Sequence, residues 1–294
     1  MSVNLLAGRG AVVTGGSRGI GRAVAELLCN LGASVVVNGR DPVAVQETVA
    51  AITGSGGRAA AIVGAADDER IAIALVEECT NTFGRLDILI NCAGVAEPAG
   101  SSILDITPAE FDGLMSAHVG TAFHTCRVAA RLMASQGHGS IINTGSVAFL
   151  GDYGGTGYPA GKGAVNGLTL AIAAELKPYG VRANVVCPGA RTRLSTGVEY
   201  EKHIEELHRR GLLDEMTMRA SLDSAPASYV APLYAYLASD LAADTTGQIF
   251  VAAGGFVGRY DKPTPRMLGY RDHHRAEPWS VEDLQAMLGS TAVE

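Results

Sequence analysis

Short apolar segments alternate along the chain with longer stretches in which apolar residues recur with helical spacing. The first pattern is typical of buried strands and the second of amphipathic helices. Because the short segments are largely apolar rather than strictly alternating, they fit parallel strands covered on both faces. We therefore predict an α/β fold with a doubly wound parallel sheet of seven strands and helices on both faces. The predicted strands are residues 10–14, 34–38, 58–63, 87–90, 140–143, 182–186 and 248–251.

Several predicted helices carry recognisable boundary residues. An Asp or Thr at the start of a helical pattern can accept hydrogen bonds from the first helical N–H groups, and glycine readily ends a helix. Starts are indicated at Asp41, at Asp67 or Asp68 and at Asp105 or Thr107, and ends at Gly32, Gly84 and Gly180.

The length of 294 residues suits one large α/β domain, which we place at residues 1–255. Residues 193–224 form a charged, amphipathic insertion after the sixth strand, where insertions commonly form a lid over a ligand. Residues 256–294 are too few for an independent domain, so we interpret them as an extension that could dock on a neighbouring subunit.

Composition excludes several functional classes. The net charge is −7 and no cluster of Lys and Arg occurs, which argues against nucleic acid or an anionic membrane surface as partner. No signal peptide and no apolar run of about 18 residues is found, as a membrane helix would need. The five scattered cysteines fit buried apolar positions in a reducing compartment. We therefore expect a cytoplasmic protein whose function lies in a pocket.

A glycine-rich turn near the N-terminus predicts a dinucleotide site of Rossmann type. The first strand runs into G-G-S-R-G-I-G and then into a helix. Glycine lets the backbone approach a pyrophosphate, whose charge the helix N-terminus stabilises. The spacing G-x-x-x-G-x-G differs from the commoner G-x-G-x-x-G, but the flanking strand and helix are those expected. The predicted cofactor loop comprises Gly15, Ser17, Arg18, Gly19, Ile20 and Gly21.

The end of the second strand favours NADP(H) over NAD(H). An acid at this point binds the ribose hydroxyls of NAD, whereas an arginine accommodates the extra phosphate of NADP. Gly39 stands where the acid would be, Arg40 follows it, and Arg18 adds a second cation. Because no carboxylate is there to repel a phosphate, we expect NADP(H), with NAD(H) as the alternative.

Three residues further along predict carbonyl chemistry. Tyr158 and Lys162 stand four residues apart in a helical segment and so share one helix face, and Ser146 follows the fifth strand. Hydride delivery to a carbonyl builds negative charge on oxygen, so a proton donor and a hydrogen-bond donor must both reach that atom. A free tyrosine has a pKa of about 10, and the neighbouring Lys162 cation is expected to lower it.

Taken in order, these motifs resemble the short-chain dehydrogenase/reductase family over residues 5–255. The resemblance implies that Tyr158 is the general acid/base, that Lys162 binds the nicotinamide ribose and that Ser146 orients the carbonyl. It also implies a homodimer or homotetramer paired through long helices. The motifs are residues 14–21, Asn91-Cys92-Ala93-Gly94, Ser146, Tyr158-x-x-x-Lys162 and Pro188-Gly189. The implied cofactor contacts are Asn91, Ala93, Gly94, Tyr158, Lys162, Pro188, Gly189 and Thr192. Of these, the resemblance implies that Thr192 binds the carboxamide.

The chain departs from the family pattern at three positions. Cys92 replaces the second asparagine of the turn, Ala65 replaces the aspartate that holds adenine, and His118 replaces the asparagine of a proton relay. A histidine can still pass a proton, so we count His118 with the catalytic residues, although it could also be only a hydrogen-bonded buried side chain. The departures leave a second hypothesis open, a sensor that binds the dinucleotide without catalysis.

Substrate identity is predicted only by a weaker resemblance. His118, residues 226–240 and the sequence Thr246-Gly247-Gln248 are similar to the branch with 3-oxoacyl reductases and hydroxyacyl-thioester dehydrogenases. This implies a 3-oxoacyl or 3-hydroxyacyl thioester; a cyclic ketone, a steroid or a polyketide is the alternative.

No metal site is predicted, because His203 and His208 lack the i, i+4 spacing of a zinc-binding helix. Basic residues near the lid could meet an anionic thioester carrier or be merely solvated: Arg191, Arg193, His203, His208, Arg209 and Arg210.

Overall fold

A computed structural model describes residues 4–98, 101–153 and 155–289. Its central element is one sheet with the strand order β3-β2-β1-β4-β5-β6-β7-β8. The strands are β1 (Gly10–Thr14), β2 (Ser34–Gly39), β3 (Arg58–Val63), β4 (Ile88–Asn91), β5 (Gly139–Thr144), β6 (Val181–Gly189), β7 (Ile249–Ala253) and β8 (Phe256–Tyr260). The predicted doubly wound α/β fold is confirmed, and all seven predicted strands are present.

The prediction of seven strands is wrong by one, because β8 adds an antiparallel strand to the seven parallel ones. Gly254 has a φ of +54° and forms with Gly255 a two-residue turn that reverses the chain after β7. Glycine pairs favour such hairpin turns, since the required positive φ costs them little. The compact unit that contains the sheet therefore extends to Tyr260 rather than residue 255, and a second unit begins at Asp261.

Helices cover both faces of the sheet, and their boundaries follow local capping chemistry. The Asp41 carboxylate accepts hydrogen bonds from the N–H groups of Val43 (3.0 Å) and Ala44 (3.3 Å), which confirms the predicted cap. Asp68 and Thr107, rather than Asp67 and Asp105, cap the next two helices. The helices are α1 (Gly19–Asn30), α2 (Pro42–Gly54), α3 (Glu69–Phe83), α4 (Pro108–Met115), α5 (Thr121–Gln136), α6 (Gly157–Leu176), α7 (Val198–Arg209), α8 (Glu215–Leu222), α9 (Ala231–Ala238) and α10 (Val281–Gly289).

Two apolar cores lie on opposite faces of the sheet. Side chains of α1, α2 and α9 pack on one face, where Val35 and Val37 of β2 are fully buried. Side chains of α3, α5 and α6 pack on the other face, which receives Val36 of the same strand. Successive residues of a strand point to opposite faces, so an all-apolar strand supplies both cores. Within the described ranges, no helix is long and apolar enough to cross a membrane.

A π-helical turn, Ser116–Gly120, joins α4 to α5. The Thr121 N–H bonds to the Ser116 carbonyl five residues earlier, whereas an α-helix would bond four residues back. Such turns contain one extra residue and occur often at functional sites. This one carries His118, which is buried.

The second unit is small and contains α10. Within it, the Arg271 guanidinium lies 3.9 Å from the ring centroid of Trp279 and 3.1 Å from the Asp283 carboxylate. Docking of this extension on a neighbouring subunit stays a prediction.

Candidate active site

The predicted site residues gather where β1, β4, β5 and β6 end. In the parallel ladder Thr14 pairs with Asn91, and Asn91 pairs with Asn143, so these strand ends lie side by side. From β1 the sheet is built first towards one edge, through β2 and β3, and then from β4 towards the other edge. The strand order therefore reverses between β1 and β4. Ligands of open α/β sheets bind at such a point.

The glycine turn after β1 lies against the turn after β4 and the loop after β6. Gly15 has a φ of +63°, and a Cβ there would lie 2.8 Å from the Cα of Ala93. A Cβ on Gly19 would lie 3.3 Å from the Thr192 side chain. Gly189 also needs to be glycine, since a Cβ would lie 2.8 Å from that of Ala253. These close approaches form a cradle at the N-terminus of α1, where Arg18 makes no side-chain capping hydrogen bond to the described residues. The first N–H groups of the helix therefore suit a pyrophosphate.

Asn91 lies beneath this cradle, buried, with its amide fully engaged. Its oxygen accepts hydrogen bonds from Thr14 (3.2 Å) and Thr125 (2.9 Å), and its nitrogen donates to Asn143 (2.9 Å). Thr14 in turn accepts from the N–H of Ala93 at 3.3 Å. The Asn91 side chain therefore supports the turn of Ala93 and Gly94 from below.

The end of β2 is closely packed at Gly39. A Cβ there would lie 2.4 Å from the Ser17 hydroxyl oxygen, so a side chain at this position would require Ser17 to move. Arg18 pairs with Asp41 at 2.5 Å, and both side chains are partly exposed. Arg40 is exposed next to them. This corner presents two guanidinium groups; that of Arg18 is paired with the Asp41 carboxylate, which the N-terminus of α2 also holds.

Ser146, Tyr158 and Lys162 come together at the ends of β5 and α6. The Ser146 hydroxyl lies close enough to the Tyr158 phenol to lower its pKa. The Lys162 ammonium donates to the Thr144 carbonyl at 2.9 Å and lies 5.6 Å from the ring centroid of Tyr158. Lys162 is only 5% exposed, which fixes the amine at one place below the phenol ring.

Burial has the largest effect on the pKa values of Tyr158 and Lys162. It raises the pKa of Tyr158 above the ordinary value of 10.0, although the nearby Ser146 hydroxyl lowers it. Desolvation of the phenolate thus outweighs the lowering that we expect from the Lys162 cation. Burial also lowers the pKa of Lys162 to about 8. Tyr158 is thus a neutral proton donor near pH 7.

His118 reaches this group from the π-helical turn. Its ring meets that of Tyr158 edge to face, with 5.0 Å between centroids. Burial, and then the Lys162 cation, lower the pKa of His118 to about 3, so its imidazole is neutral. Among the described residues neither ring nitrogen has a hydrogen-bond partner of good geometry, although the Val95 backbone lies close enough to raise the pKa slightly. A small cavity beside the ring is also lined by Asn91, Thr144 and Lys162.

Comparison with known proteins decides the family. The family profile described as "short chain dehydrogenase" matches residues 9–202, about two thirds of the chain. The chain belongs to this family. It is therefore an oxidoreductase, and the resemblance seen in the sequence is confirmed.

Similar family members differ in substrate. A 3alpha-hydroxysteroid dehydrogenase of Mediterraneibacter gnavus is 31% identical over 85% of this chain and 97% of its own. The hydroxyacyl-CoA dehydrogenase ChsB1 of Mycobacterium tuberculosis is 32% identical over 85% of this chain and 78% of its own. A crystal structure of a short chain dehydrogenase from Mycobacterium avium superposes with a TM-score of 0.79 at 30% identity and covers 98% of this chain and 95% of that one.

Tyrosines from the lid and the preceding loop were missed in the sequence analysis. The Tyr153 hydroxyl lies 3.2 Å from the Ser221 hydroxyl of α8. Burial raises the pKa of Tyr200 on α7, and the nearby phenols of Tyr153 and Tyr158 raise it further. Tyr200 thus lies near both Tyr153 and the predicted proton donor Tyr158. Only their aromatic character marked them in the sequence, since they form no motif.

Several basic residues of the lid are engaged within the protein. His203 lies 3.1 Å from the Tyr153 carbonyl, His208 lies 2.9 Å from the Leu213 carbonyl, and Arg209 pairs with Glu206 at 2.6 Å. These contacts tie residues of the insertion together, and the Glu206 carboxylate offsets the charge of Arg209. In the described part of the chain, no group of three or more His, Cys, Asp or Glu could hold a metal ion.

Proposed function

We propose that the protein is an NADP(H)-dependent oxidoreductase that interconverts a secondary alcohol and a ketone. The observation that carries the proposal is the convergence of Ser146, Tyr158 and Lys162 beside a glycine cradle. The nicotinamide, when bound, supplies or accepts the hydride. The residues named for the cofactor fit it, because the cradle offers backbone N–H groups and the β2 corner offers cations.

The chain's own residues handle the proton and the carbonyl oxygen. In the reducing direction the Tyr158 phenol gives its proton to the oxygen, while the Ser146 hydroxyl donates a hydrogen bond to the same atom. Lys162 holds positive charge below the phenol and stabilises the phenolate that remains. In the oxidising direction the same phenolate removes the proton of the alcohol.

His118 would pass a proton from solvent back to Tyr158 by way of Lys162, with which it lines the small cavity, where a water molecule can bridge polar groups. We expect His118→Leu to lower kcat by about 10- to 100-fold, and His118→Asn to keep most of it, since an amide can also accept and donate. Because the pKa of His118 is about 3, its ionisation should not appear in the pH–rate profile between pH 5 and 9. Steady-state kinetics of the two variants would check this, and an unaffected His118→Leu enzyme would exclude the relay.

The cofactor proposal rests on the β2 corner. We expect kcat/KM with NADPH to exceed kcat/KM with NADH. Arg40→Ala should lower kcat/KM for NADPH by about 10- to 100-fold and leave kcat/KM for NADH unchanged, because only the NADPH complex loses a charge-assisted contact to phosphate. Arg22→Ala is a matched control, because Arg22 lies on α1 and pairs with Glu26 at 2.8 Å. Equal use of both cofactors by the unmodified enzyme would contradict the proposal.

The substrate is proposed by class. The partly buried Tyr153 and Tyr200 and the internally bound basic residues of the insertion favour an uncharged, apolar ketone such as a steroid or another cyclic ketone. The second candidate is a 3-oxoacyl thioester, which the similarity to a hydroxyacyl-CoA dehydrogenase supports. Rates with steroids, cyclic diketones and acetoacetyl thioesters would separate the two, and binding of NADPH without reduction of any carbonyl would favour the sensor.

Association as a homodimer or homotetramer is proposed from the family resemblance, and sedimentation would measure it. The expected cytoplasmic location also stays a proposal.

A further inference from the structure

The helix that carries the predicted proton donor does not cap its own N-terminus. Thr156 precedes α6, and its hydroxyl makes no capping hydrogen bond to the described residues of the first turn. The Glu97 carboxylate, from the loop after β4, takes that place. Its Oε1 accepts from the N–H groups of Thr156 (3.1 Å) and Gly157 (3.2 Å), and its Oε2 accepts from the N–H of Tyr158.

The carboxylate is itself held in position. The Ser101 hydroxyl donates to Oε1 at 2.9 Å. Gly155 runs past the carboxylate with a φ of +76°, and a Cβ there would lie 3.0 Å from its carboxyl carbon. Glycine is therefore needed for the close approach, and the contact joins two loops that are about sixty residues apart in sequence.

The physical effect of such a cap is large for a first helical turn. N–H groups at a helix start have no partner within the helix, and they carry the positive end of the helix dipole. A carboxylate that accepts three of them forms charge-assisted hydrogen bonds, which are stronger than neutral ones. Tyr158 is the second residue of α6, so its backbone lies in the turn that this cap holds.

We propose that Glu97 is a positioning residue that fixes the first turn of α6 and thereby the direction of the Tyr158 phenol. The proposal rests on the proposed function, because it takes Tyr158 as the proton donor. Glu97 acts through the backbone of α6 and takes no part in proton transfer.

The test compares Glu97→Ala and Glu97→Gln with Glu110→Ala. Glu110 is the matched control, because its carboxylate caps another helix, α4, through the N–H of Thr107 at 2.9 Å. The first measurement is the NMR signal of the Tyr158 ring in protein with ¹³C-labelled tyrosine, assigned from Tyr158→Phe. This signal reports the ring's position beside His118 and requires no turnover. The second measurement is kcat and KM with NADPH and with whichever of the steroids, cyclic diketones and acetoacetyl thioesters is reduced fastest.

We expect Glu97→Ala to shift or broaden the Tyr158 signal and to lower kcat by about 10- to 100-fold, with KM for NADPH unchanged. Glu97→Gln should recover part of both, since its single amide oxygen still accepts from Thr156 and Gly157 while its NH2 group cannot accept from Tyr158. Glu110→Ala should leave the Tyr158 signal and kcat unchanged.

An unchanged Tyr158 signal in Glu97→Ala, the same change in Glu110→Ala, or no recovery in Glu97→Gln would each overturn the proposal. If the unmodified protein reduces no carbonyl, the proposed function fails, and the NMR comparison still decides whether Glu97 positions the ring.

Discussion

Replacement of Tyr158 by phenylalanine should reduce turnover by about three orders of magnitude while the affinity for NADPH changes little. The substitution removes one hydroxyl, and with it the only proposed source of the proton for the carbonyl oxygen. The ring remains, so its contacts with His118 and Lys162 can persist. Single-turnover rates and a fluorescence titration with NADPH would separate chemistry from binding.

Tyr179→Phe is the control for this experiment, because Tyr179 is 53% exposed. It should turn over like the unmodified enzyme. A Tyr158→Phe enzyme that keeps its rate would remove Tyr158 from the mechanism.

The direction of the reaction should depend on pH. Burial raises the pKa of Tyr158, so the phenol is protonated near neutrality and suited to reduction. Oxidation needs the phenolate, and its rate should rise as the pH approaches the raised pKa.

Replacement of Asp87 by alanine should lower the free energy of unfolding by about 3 kcal/mol. Asp87 is 2% exposed and immediately precedes β4. It accepts hydrogen bonds from the Gly10 N–H (2.9 Å) and from Arg85 (2.7 Å), and it lies 2.6 Å from a His138 ring nitrogen. Its removal leaves a buried N–H without its acceptor and takes a carboxylate partner from three side chains, those of Arg85, His138 and Arg9. Chemical denaturation would measure the loss.

Glu206→Ala is the matched control, because Glu206 and Arg209 form an exposed pair at 2.6 Å. It should change stability little, and an equal loss in both variants would contradict the role given to Asp87.

The stabilisation by Asp87 should also depend on pH. Burial alone would raise the pKa of Asp87, but hydrogen bonds from Arg85, Gly10 and His138 lower it below 3.8. A carboxyl group whose pKa is lower in the folded protein than in the unfolded chain stabilises the folded state fully at pH values above its pKa in the unfolded chain. This stabilisation is lost as the pH falls towards the pKa of the group in the folded protein. The difference between Asp87→Ala and the unmodified protein should therefore shrink below about pH 4.

Much of the fold was predictable because the decisive signals are local. Each parallel strand is apolar on both faces, so a short run of sequence identifies it. Asp41 and Thr107 cap helices through N–H groups two or three residues away. The strand β8 was missed because the apolar pattern weakens at the edge of the sheet, although Gly254-Gly255 is a recognised hairpin signal.

The site was predictable only in part. The spacing of Tyr158 and Lys162 follows from helix geometry, and the glycine turn follows from its flanking strand and helix. The contact of Glu97 with α6 could not be predicted, because two loops meet that are distant in sequence and no motif joins them. The desolvation that raises the pKa of Tyr158 could not be predicted either, since burial is a property of the packed structure.

The π-helical turn makes the orientation of His118 depend on chain length as well as residue identity. One residue fewer between Ser116 and Gly120 would restore ordinary helical bonding and rotate α4 against α5 by about 100°. His118 would then turn away from Tyr158 even with every other side chain intact. In this segment a single-codon deletion would do more harm than most substitutions.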